Sequence, residues 1–513
     1  MTASLSSISE KHTDSDILLT TVNARYMHSA FGLRYLLANL GDLQSRCRLL
    51  EFTIEQSALN IAEQLLQHQP KIIGFSVYIW NVAQTGEIVG LIKRISPDTL
   101  VILGGPEVSH APDLPACADL ADYVIAGPGE KQFPLLCQQL LNGQAPENRY
   151  FEGEALPLDQ IELPYAYYND EDIRHRLIYV EASRGCPFKC EFCLSALDKT
   201  ASPFPLDKFL VEMDTLWQRG VRNFKFIDRT FNLKVSNSVA ILEFFLARMS
   251  DDLYLHFEVI PDNLPQALKS VLQRFPANSL QFEIGVQTFD TQIQSLISRK
   301  QDNARSKENI HWLRQNTGAH LHTDLIFGLP GDTLENFADS FNQLLALAPQ
   351  EIQLGILKRL RGAPINRHEA EYDLRYNPEP PYNIVSTRDI SFSTLQRVGR
   401  FARYWDMIGN SGRFRNSLPL IVSDNAFEQF MQLSDALYQL SGSTWKISLK
   451  RLFELMFVIM TERFGLAESV VAHSLMEDYR RTGGKGQPDF EQLPKINRSK
   501  RTGIANKRQR QHA

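Results

Sequence analysis

The sequence predicts an α/β protein that ends in a mainly helical region. Two stretches of the chain alternate short apolar runs with helix-like segments, and a third stretch has amphipathic helical patterns only. With 513 residues, of which 43% are apolar, the chain has room for about three domains. The predicted divisions are an α/β domain (1–141), a proline-rich acidic linker (142–172), a second α/β domain (173–368), a helical domain (369–494) and a basic tail (495–513).

The first α/β stretch contains five short apolar runs that are typical of buried strands. They are residues 17–21, 49–53, 71–78, 100–104 and 123–126, with helical patterns at 30–40, 57–67 and 84–95 between them. Buried strands joined by helical crossovers predict an open parallel sheet of the flavodoxin-like kind, covered on both faces. Ligands of such sheets lie across the carboxyl ends of the strands.

Unusual residues follow three of these strands. Glycines there allow turns with positive φ and a close approach to the backbone. Taken one at a time, each glycine is explained by a turn, whereas together they indicate a ligand site. The candidate residues are Ser76, Tyr78, Gly104, Gly105, Gly127, Gly129 and Glu130.

The second α/β stretch repeats the alternation six times. Its strands are predicted at 178–181, 223–228, 254–260, 280–285, 320–326 and 351–354, with helices at 206–219, 236–249 and 334–347. Six β/α units predict a partial TIM-type barrel, in which active sites lie at the carboxyl ends of the strands.

Three cysteines follow the first strand of this predicted barrel. Cys186, Cys190 and Cys193 have the spacing C-x3-C-x2-C, with Phe192 directly before the last cysteine. Three thiolates can hold three irons of a cubane 4Fe-4S cluster and leave the fourth iron open. The motif resembles the signature of the radical S-adenosylmethionine (SAM) enzymes. The resemblance implies that SAM binds the open iron, accepts an electron and breaks into methionine and a 5'-deoxyadenosyl radical, which takes a hydrogen atom from a substrate.

Two simpler explanations of the cysteines are less favoured. A structural zinc site needs four ligands, and no second Cys/His pair lies near the loop. A disulfide framework is disfavoured because there are only 6 cysteines in 513 residues. The other three, Cys47, Cys117 and Cys137, have apolar neighbours and are interpreted as packing residues.

The glycine-rich sheet directly before a radical SAM loop resembles the cobalamin-binding domain of one branch of that superfamily. Many such domains carry D-x-H-x-x-G after the first strand, where the histidine ligates cobalt. Here His28 has no aspartate two residues before it, and the glycine is displaced by one residue. Histidine ligands usually rely on such an orienting partner. His28 is therefore a candidate for the cobalt ligand or for a hydrogen bond at a helix start.

Further SAM contacts are implied by the same resemblance. Asp228 occupies the place of an acidic residue that holds the SAM amino group, and the loop Gly328, Leu329, Pro330 and Gly331 resembles the one along which adenine lies. Glu258, Glu283 and Gln287 are candidates for the ribose hydroxyls and Arg299 for the SAM carboxylate, with structural salt bridges as the alternative. His320, His322 and Asp324 alternate along one strand and are a further, weaker candidate for a metal site.

The composition and net charge of the chain indicate which kinds of partner it can bind. The net charge of -5 argues against general nucleic-acid binding, and no long apolar run or secretory signal is found, which predicts a cytoplasmic protein without a membrane partner. The basic tail is read as a solvated end, with RNA or membrane contact as the alternative. Helical patterns at 394–407, 426–440 and 450–464 form the last domain, and their aromatic residues are read as core.

The leading hypothesis is a cobalamin-dependent methyltransferase that acts on an unreactive carbon. Its implied cofactors are the 4Fe-4S cluster, SAM and cobalamin, and its implied partners are a small-molecule or peptide substrate and an electron donor such as flavodoxin or ferredoxin. The alternatives are a cobalamin-independent radical rearrangement, cyclisation or oxidation, a tRNA methylthiotransferase with a second cluster, and a protein that only mediates interactions.

Overall fold

The computed structural model describes residues 15–423, 425–484, 486 and 488–490. The described chain forms two compact units. The first comprises the residues up to Tyr179 together with Asp207–Val221 and Leu360–Gly362, and the second comprises Val180–Leu206, Arg222–Arg359 and the residues from Ala363 onwards. The predicted basic tail, 495–513, lies outside the described residues.

The first unit is built on a six-stranded sheet. Its elements are β1 (Ile17–Asn23), α1 (Phe31–Ala38), β2 (Cys47–Thr53), α2 (Ala58–Leu66), β3 (Ile72–Ser76), α3 (Val82–Ile95), β4 (Leu100–Gly104), α4 (Cys117–Leu120), β5 (Tyr123–Ala126), α5 (Gln132–Leu141), β6 (Tyr150–Glu152) and α6 (Asp170–His175). The strand order is β2-β1-β3-β4-β5-β6, and the strand pairs are parallel. The order 2-1-3-4-5 is the flavodoxin-like one, so the predicted sheet is confirmed.

Two apolar cores cover this sheet, one on each face. Along β1, Leu18 and Val22 belong to one core, whereas Ile17 and Leu19 belong to the other, as the period of two in a strand requires. Residues 142–172, predicted as a linker, add β6 to the sheet edge. The pattern did not indicate this strand because it is only three residues long and none of its residues is buried.

The second unit contains the cysteine loop and a parallel sheet of barrel type. Its elements, given together with β7 and α7, most of whose residues belong to the first unit, are β7 (Ile178–Val180), β8 (Ser183–Arg184), β9 (Ser202–Pro203), α7 (Leu206–Gln218), β10 (Asn223–Phe226), α8 (Val235–Leu246), β11 (Tyr254–Val259), α9 (Gln266–Leu272), β12 (Leu280–Gln287), α10 (Thr291–Leu296), α11 (Asn303–Asn316), β13 (His320–Phe327), α12 (Leu334–Ala346) and β14 (Glu351–Ile356). The sheet order is β14-β13-β12-β11-β10-β7, so the six predicted strands are neighbours in chain order.

Helices dominate the rest of the second unit. They are α13 (Glu369–Tyr372), α14 (Phe392–Ile408), α15 (Ala426–Ser441), α16 (Leu449–Glu462) and α17 (Glu468–Thr482), with a short hairpin of β15 (Arg375–Tyr376) and β16 (Ile384–Ser386) between α13 and α14. Their aromatic residues form core, as predicted; Phe401, for example, is fully buried and stacks on Phe427. Among the described residues, no helix combines the length and the apolar character needed to cross a lipid bilayer.

Candidate active site

The three loop cysteines border one cavity of the second unit. The cavity has a volume of about 320 Å³ and lies at the carboxyl ends of the barrel strands. Cys190 is buried, while Cys186 and Cys193 are half-buried, so their sulfurs can be reached from the cavity. Other residues that line the cavity are Phe188, Phe192, Arg229, Glu258, Glu283, Gln287, Arg299, Lys300 and Asp324.

Four residues predicted as SAM contacts therefore line the cysteine cavity. Glu258, Glu283 and Gln287 come from β11 and β12, and Arg299 comes from the segment after α10. Gln287 has a φ of +69°, and its buried side-chain oxygen has no hydrogen-bond partner in the protein. A strained residue with an unused acceptor at a cavity wall suits a ligand that donates a hydrogen bond.

Charges in the cavity wall are paired. Arg229 lies 2.9 Å from Glu258, and Glu283 lies 3.1 Å from Lys225 and 2.9 Å from His256. Burial opposes the ionisation of Glu283, but the hydrogen bond from His256 and the charge of Lys225 outweigh it and hold the pKa of Glu283 below its ordinary value. For Glu258, burial prevails over Arg229 and raises the pKa.

The interior of the barrel sheet is polar. Every second residue of β12 is less buried than its neighbours, and strand pairing places Glu258 beside Glu283 and Glu283 beside His322 on the same face. His320 lies 3.1 Å from Glu351 and His322 lies 3.4 Å from Asp324. In the part of the chain that the structure describes, no three His, Cys, Asp or Glu side chains converge on a single metal ion. The predicted metal site of His320, His322 and Asp324 is therefore not formed: His320 pairs with Glu351 on the neighbouring strand, whereas His322 pairs with Asp324 on its own strand.

A buried carboxylate that the sequence did not reveal fixes the cysteine loop. Glu191, which is 5% exposed, accepts hydrogen bonds from Arg367 at 2.7 and 2.8 Å and from Ser298 at 2.6 Å, and it lies 3.0 Å from Nε2 of His368. Burial opposes its ionisation, yet Arg367 and Ser298 keep the pKa of Glu191 below its usual range. No local motif connects Glu191 with partners more than 100 residues away.

Replacing Glu191 by alanine is expected to destabilise the second unit by about 2–3 kcal/mol, because several hydrogen bonds to a buried charge are lost. Iron retention should fall as well, since Cys190 is the adjacent residue. Arg375→Ala is the control: its side chain and that of its partner Asp373 are 67% and 55% exposed, so the expected loss is below about 1 kcal/mol. Urea unfolding and iron content measure both effects; equal losses in the two variants would contradict this role of Glu191.

Two predicted SAM contacts lie away from the cysteine cavity. Asp228 is buried, and its carboxylate accepts hydrogen bonds from the Ala182 backbone at 3.0 Å and from the Ser183 hydroxyl at 2.6 Å. Burial raises the pKa of Asp228 to about 7 despite these bonds. Asp228 thus supports the strand that leads into the cysteine loop and does not line the cavity.

The loop Gly328, Leu329, Pro330 and Gly331 is likewise not among the residues that line the cavity. Leu329 is fully buried, and a Cβ at Gly328 would lie 2.8 Å from Ile384. Asp332 holds the loop by accepting a hydrogen bond from the Gly328 backbone at 3.1 Å. The loop packs against a segment that the sequence patterns did not connect with the barrel.

A second cavity lies at the carboxyl ends of the strands of the first unit. It has a volume of about 210 Å³ and is mainly apolar, with lining residues such as Leu33, Leu36 and Phe133. All seven residues predicted from the strand ends line it: Ser76, Tyr78, Gly104, Gly105, Gly127, Gly129 and Glu130. A Cβ added at Gly32, Gly104 or Gly127 would meet no protein atom closer than 3.6 Å. These glycines therefore leave open a space that side chains would fill.

Gly105 is the glycine whose replacement should disturb this cavity most. Its φ is +104°, and a Cβ there would lie 2.7 Å from the carbonyl oxygen of Val77. Gly105→Ala is therefore expected to displace the turn after β4 and to lower corrinoid retention at least tenfold, because a strained turn of this kind costs about 1–3 kcal/mol. Gly143→Ala is the control, since it also has a positive φ but a Cβ there meets no atom within 4 Å. Equal corrinoid content in the two purified variants would refute the role of Gly105.

His28 is not among the residues that line the second cavity. Its Nδ1 lies 2.7 Å from the hydroxyl of Tyr179, and the two rings are stacked. It does not cap α1 either, because the backbone N–H of Ala30 is bound by the carboxylate of Glu51. Neither function predicted for His28, cobalt ligand or helix start, is supported by its position.

The loop that carries His28 is fixed by a buried ion-pair network. Arg34 lies 2.9 Å from Glu51 and 2.8 Å from Asp172, and Arg176 lies 2.8 Å from Glu51. Arg176 also donates a hydrogen bond to the carbonyl of His28. Two arginines and two carboxylates balance their charge, which a low-dielectric interior requires.

Comparison with protein families agrees with this architecture. Residues 17–136 match the B12 binding domain, residues 180–344 match the radical SAM superfamily, and residues 370–512 match a family described as protein of unknown function (DUF4080). The chain thus carries, in this order, segments that match the B12 binding domain, the radical SAM superfamily and DUF4080, which is the order that the sequence resemblance implied.

Relatives at the sequence level include two named methyltransferases. The chain is 24% identical over 361 residues to 2-(S-pantetheinyl)-carbapenam-3-carboxylate methyltransferase of Streptantibioticus cattleyicolor. It is 25% identical over 359 residues to the cobalamin-dependent radical SAM methyltransferase TokK of Streptomyces tokunonensis. Each match covers 61% of this chain and 51% of the relative, so the chain spans about half the length of these relatives.

Solved structures share the fold. The cobalamin-dependent SAM radical enzyme OxsB, solved with aqua-cobalamin bound, has a TM-score of 0.61 at 14% identity, covering 90% of this chain and 79% of that chain. The radical SAM methyltransferase TsrM from Kitasatospora setae, solved with cobalamin and a [4Fe-4S] cluster bound, has a TM-score of 0.56 at 16% identity, covering 70% and 75%. At these identities the likeness establishes the fold.

Proposed function

We propose that this chain is a cobalamin-dependent radical SAM enzyme that transfers a methyl group to an unreactive carbon of a small-molecule or peptide substrate. The observation that carries this proposal is the presence, in one chain, of a cavity bordered by all three loop cysteines and a glycine-lined cavity at the edge of a B12-type sheet. The methyltransferase names of the two sequence relatives support the choice of reaction.

The residues of the cysteine cavity fit a cluster and SAM. Cys186, Cys190 and Cys193 supply three soft thiolate donors at one cavity wall, which suits a cubane with one open iron. Gln287 offers an unused acceptor to a SAM hydroxyl or amino group. When bound, the cluster supplies the electron that cleaves SAM, and cobalamin carries the methyl group.

The protein's own contribution is positioning and exclusion of water. The Arg229–Glu258 pair holds both charged groups against the cavity wall. Phe188 and Phe192 add apolar surface beside the cysteines, which limits access of water and of stray hydrogen donors.

The glycine-lined cavity fits part of a corrinoid. Gly104, Gly105 and Gly127 keep the backbone accessible, while Ser76 and Glu130 provide polar contacts in a mainly apolar wall. Burial raises the pKa of Tyr78, so its phenol stays protonated at neutral pH and can donate a hydrogen bond.

A cobalamin-independent radical reaction is the second candidate. His28 is engaged with Tyr179 and does not line the glycine cavity, which leaves that cavity available to a different ligand. In that case the N-terminal sheet would serve as a binding module for a substrate.

Methylthiotransferase activity is disfavoured by the position of the remaining cysteines. Cys117 belongs to the core on one face of the first sheet, whereas Cys137 belongs to the core on the other face and Cys47 packs against it. Three thiols on opposite faces cannot hold a second cluster. Iron counting separates the two activities, at about four versus about eight irons per chain.

The proposed chemistry also requires an electron donor and a reducing environment. A one-electron donor such as flavodoxin or ferredoxin would reduce the cluster, and a reducing cytoplasm would preserve it. The net charge of -5 makes nucleic acid a poor substrate, although the basic tail could still contact RNA.

Anaerobic reconstitution of the full chain with iron, sulfide and hydroxocobalamin tests the proposal. We expect about four irons and one corrinoid per chain, and release of 5'-deoxyadenosine from SAM after reduction. Retention of the cluster without any corrinoid would reject methyl transfer and favour the second candidate. Absence of both iron and SAM cleavage would reject radical chemistry altogether.

A further inference from the structure

We propose that Arg299 donates a charge-assisted hydrogen bond to a ligand of the iron-sulfur cluster and thereby raises the reduction potential of that cluster. The donor is Nη1 of Arg299, and the acceptor is Sγ of Cys190, 3.5 Å away. The inference rests on the proposed function, because it requires the cluster that the three loop cysteines would hold.

The guanidinium of Arg299 is held in place by two neighbours. Its Nε and Nη2 donate to Oε1 of Gln301 at 3.0 and 2.7 Å, and Nη2 also donates to the carbonyl of Gly285. Because the guanidinium is planar and rigid, these anchors fix the direction of Nη1 as well. The contact with Cys190 is therefore held in place by these hydrogen bonds and does not depend on a mobile side chain.

The residues next to Arg299 in the sequence also contact the cysteine loop at Cys190 and Glu191. The carbonyl of Ile297 accepts the backbone N–H of Glu191 at 3.0 Å, and Ser298 donates to the carboxylate of Glu191. Ser298 has a φ of +54°, in the left-handed region that a non-glycine residue seldom adopts. One short segment after α10 thus contacts the backbone and the carboxylate of Glu191 and the sulfur of its neighbour Cys190.

The expected change in the reduction potential follows from the positive charge of Arg299. Reduction adds an electron to the cluster, and part of the added negative charge resides on its thiolate ligands. A positively charged donor next to one thiolate stabilises the reduced form more than the oxidised form. Hydrogen bonds to the sulfurs and net charge are known determinants of cluster potentials. Arg299 should therefore make the cluster easier to reduce.

An EPR-monitored redox titration of the reconstituted full chain, without SAM, tests this role. Omitting SAM separates it from any contact of Arg299 with the SAM carboxylate. For Arg299→Gln we expect about tenfold less reduced cluster at a fixed potential, which corresponds to a midpoint lowered by about 59 mV for one electron. Arg305→Gln is the matched control, since it makes the same substitution at an exposed arginine that does not line the cysteine cavity; it should change the ratio of reduced to oxidised cluster less than twofold.

The outcomes separate this inference from the proposed function. Equal midpoints in Arg299→Gln and Arg305→Gln would overturn the role of Arg299, while a wild-type chain without a cluster would overturn the proposed function. If Arg299→Gln takes up less iron than wild type, Gln301→Leu is titrated in its place. That variant removes an anchor of the guanidinium and should lower the midpoint in the same direction; an unchanged midpoint would reject the inference.

Discussion

Replacing Cys186, Cys190 and Cys193 together by alanine is expected to abolish iron binding and SAM cleavage while leaving the fold intact. The three thiols border a cavity and are not part of a close-packed core, so their loss removes ligands without creating a large void. Iron should fall from about four per chain to none, because no other thiolates are available at that cavity. Iron analysis, the visible absorption of the cluster and 5'-deoxyadenosine release measure the effect.

Cys47→Ala is the matched control for this experiment. Cys47 lies on β2 and packs against one core of the first sheet. It should retain the full iron content and the full rate of SAM cleavage. Loss of iron in Cys47→Ala, or full activity in the triple variant, would contradict the assignment of the cluster to the loop.

Replacing Arg34 by leucine is expected to destabilise the first unit by about 3–5 kcal/mol, because it leaves buried carboxylates with too little positive charge. Arg34 is 1% exposed and contacts both Glu51 and Asp172. After its removal, Arg176 alone faces both acids. The loop between β1 and α1, which depends on Glu51 and Arg176, should loosen as well.

Arg46→Leu provides the comparison for this prediction. Arg46 lies 2.7 Å from Asp16, but its side chain is 44% exposed, so its loss should cost less than about 1 kcal/mol. Urea unfolding of the full chain, followed by fluorescence, measures both variants. If Arg34→Leu lowers the free energy of unfolding no more than Arg46→Leu does, the buried network does not stabilise the unit.

Much of the fold was predictable because buried parallel strands leave a clear pattern. The strands of the first sheet are short apolar runs, and those of the barrel alternate buried and polar residues between helices. The strand-end residues also proved predictable, since the carboxyl ends of parallel strands meet at one edge. For this reason Ser76, Gly105 and Glu130 line one cavity although they lie far apart in the sequence.

The parts that the sequence could not predict depend on side-chain direction and on long-range partners. Asp228 follows β10 by two residues, but its carboxylate bonds to Ala182 and Ser183, and no sequence pattern specifies that direction. The residues 328–331 are covered by Ile384 and Leu395, which come from a region with no resemblance to the catalytic core. Glu191 and Arg367 are joined across more than 100 residues.

Mössbauer spectroscopy of the iron-57-reconstituted chain, with and without SAM, tests most directly the claim that three thiolates leave one iron open. We expect SAM to change the signal of about one quarter of the iron, because one of four sites gains new ligands. A spectrum that SAM leaves unchanged, or a chain that binds only zinc at the loop, would contradict it.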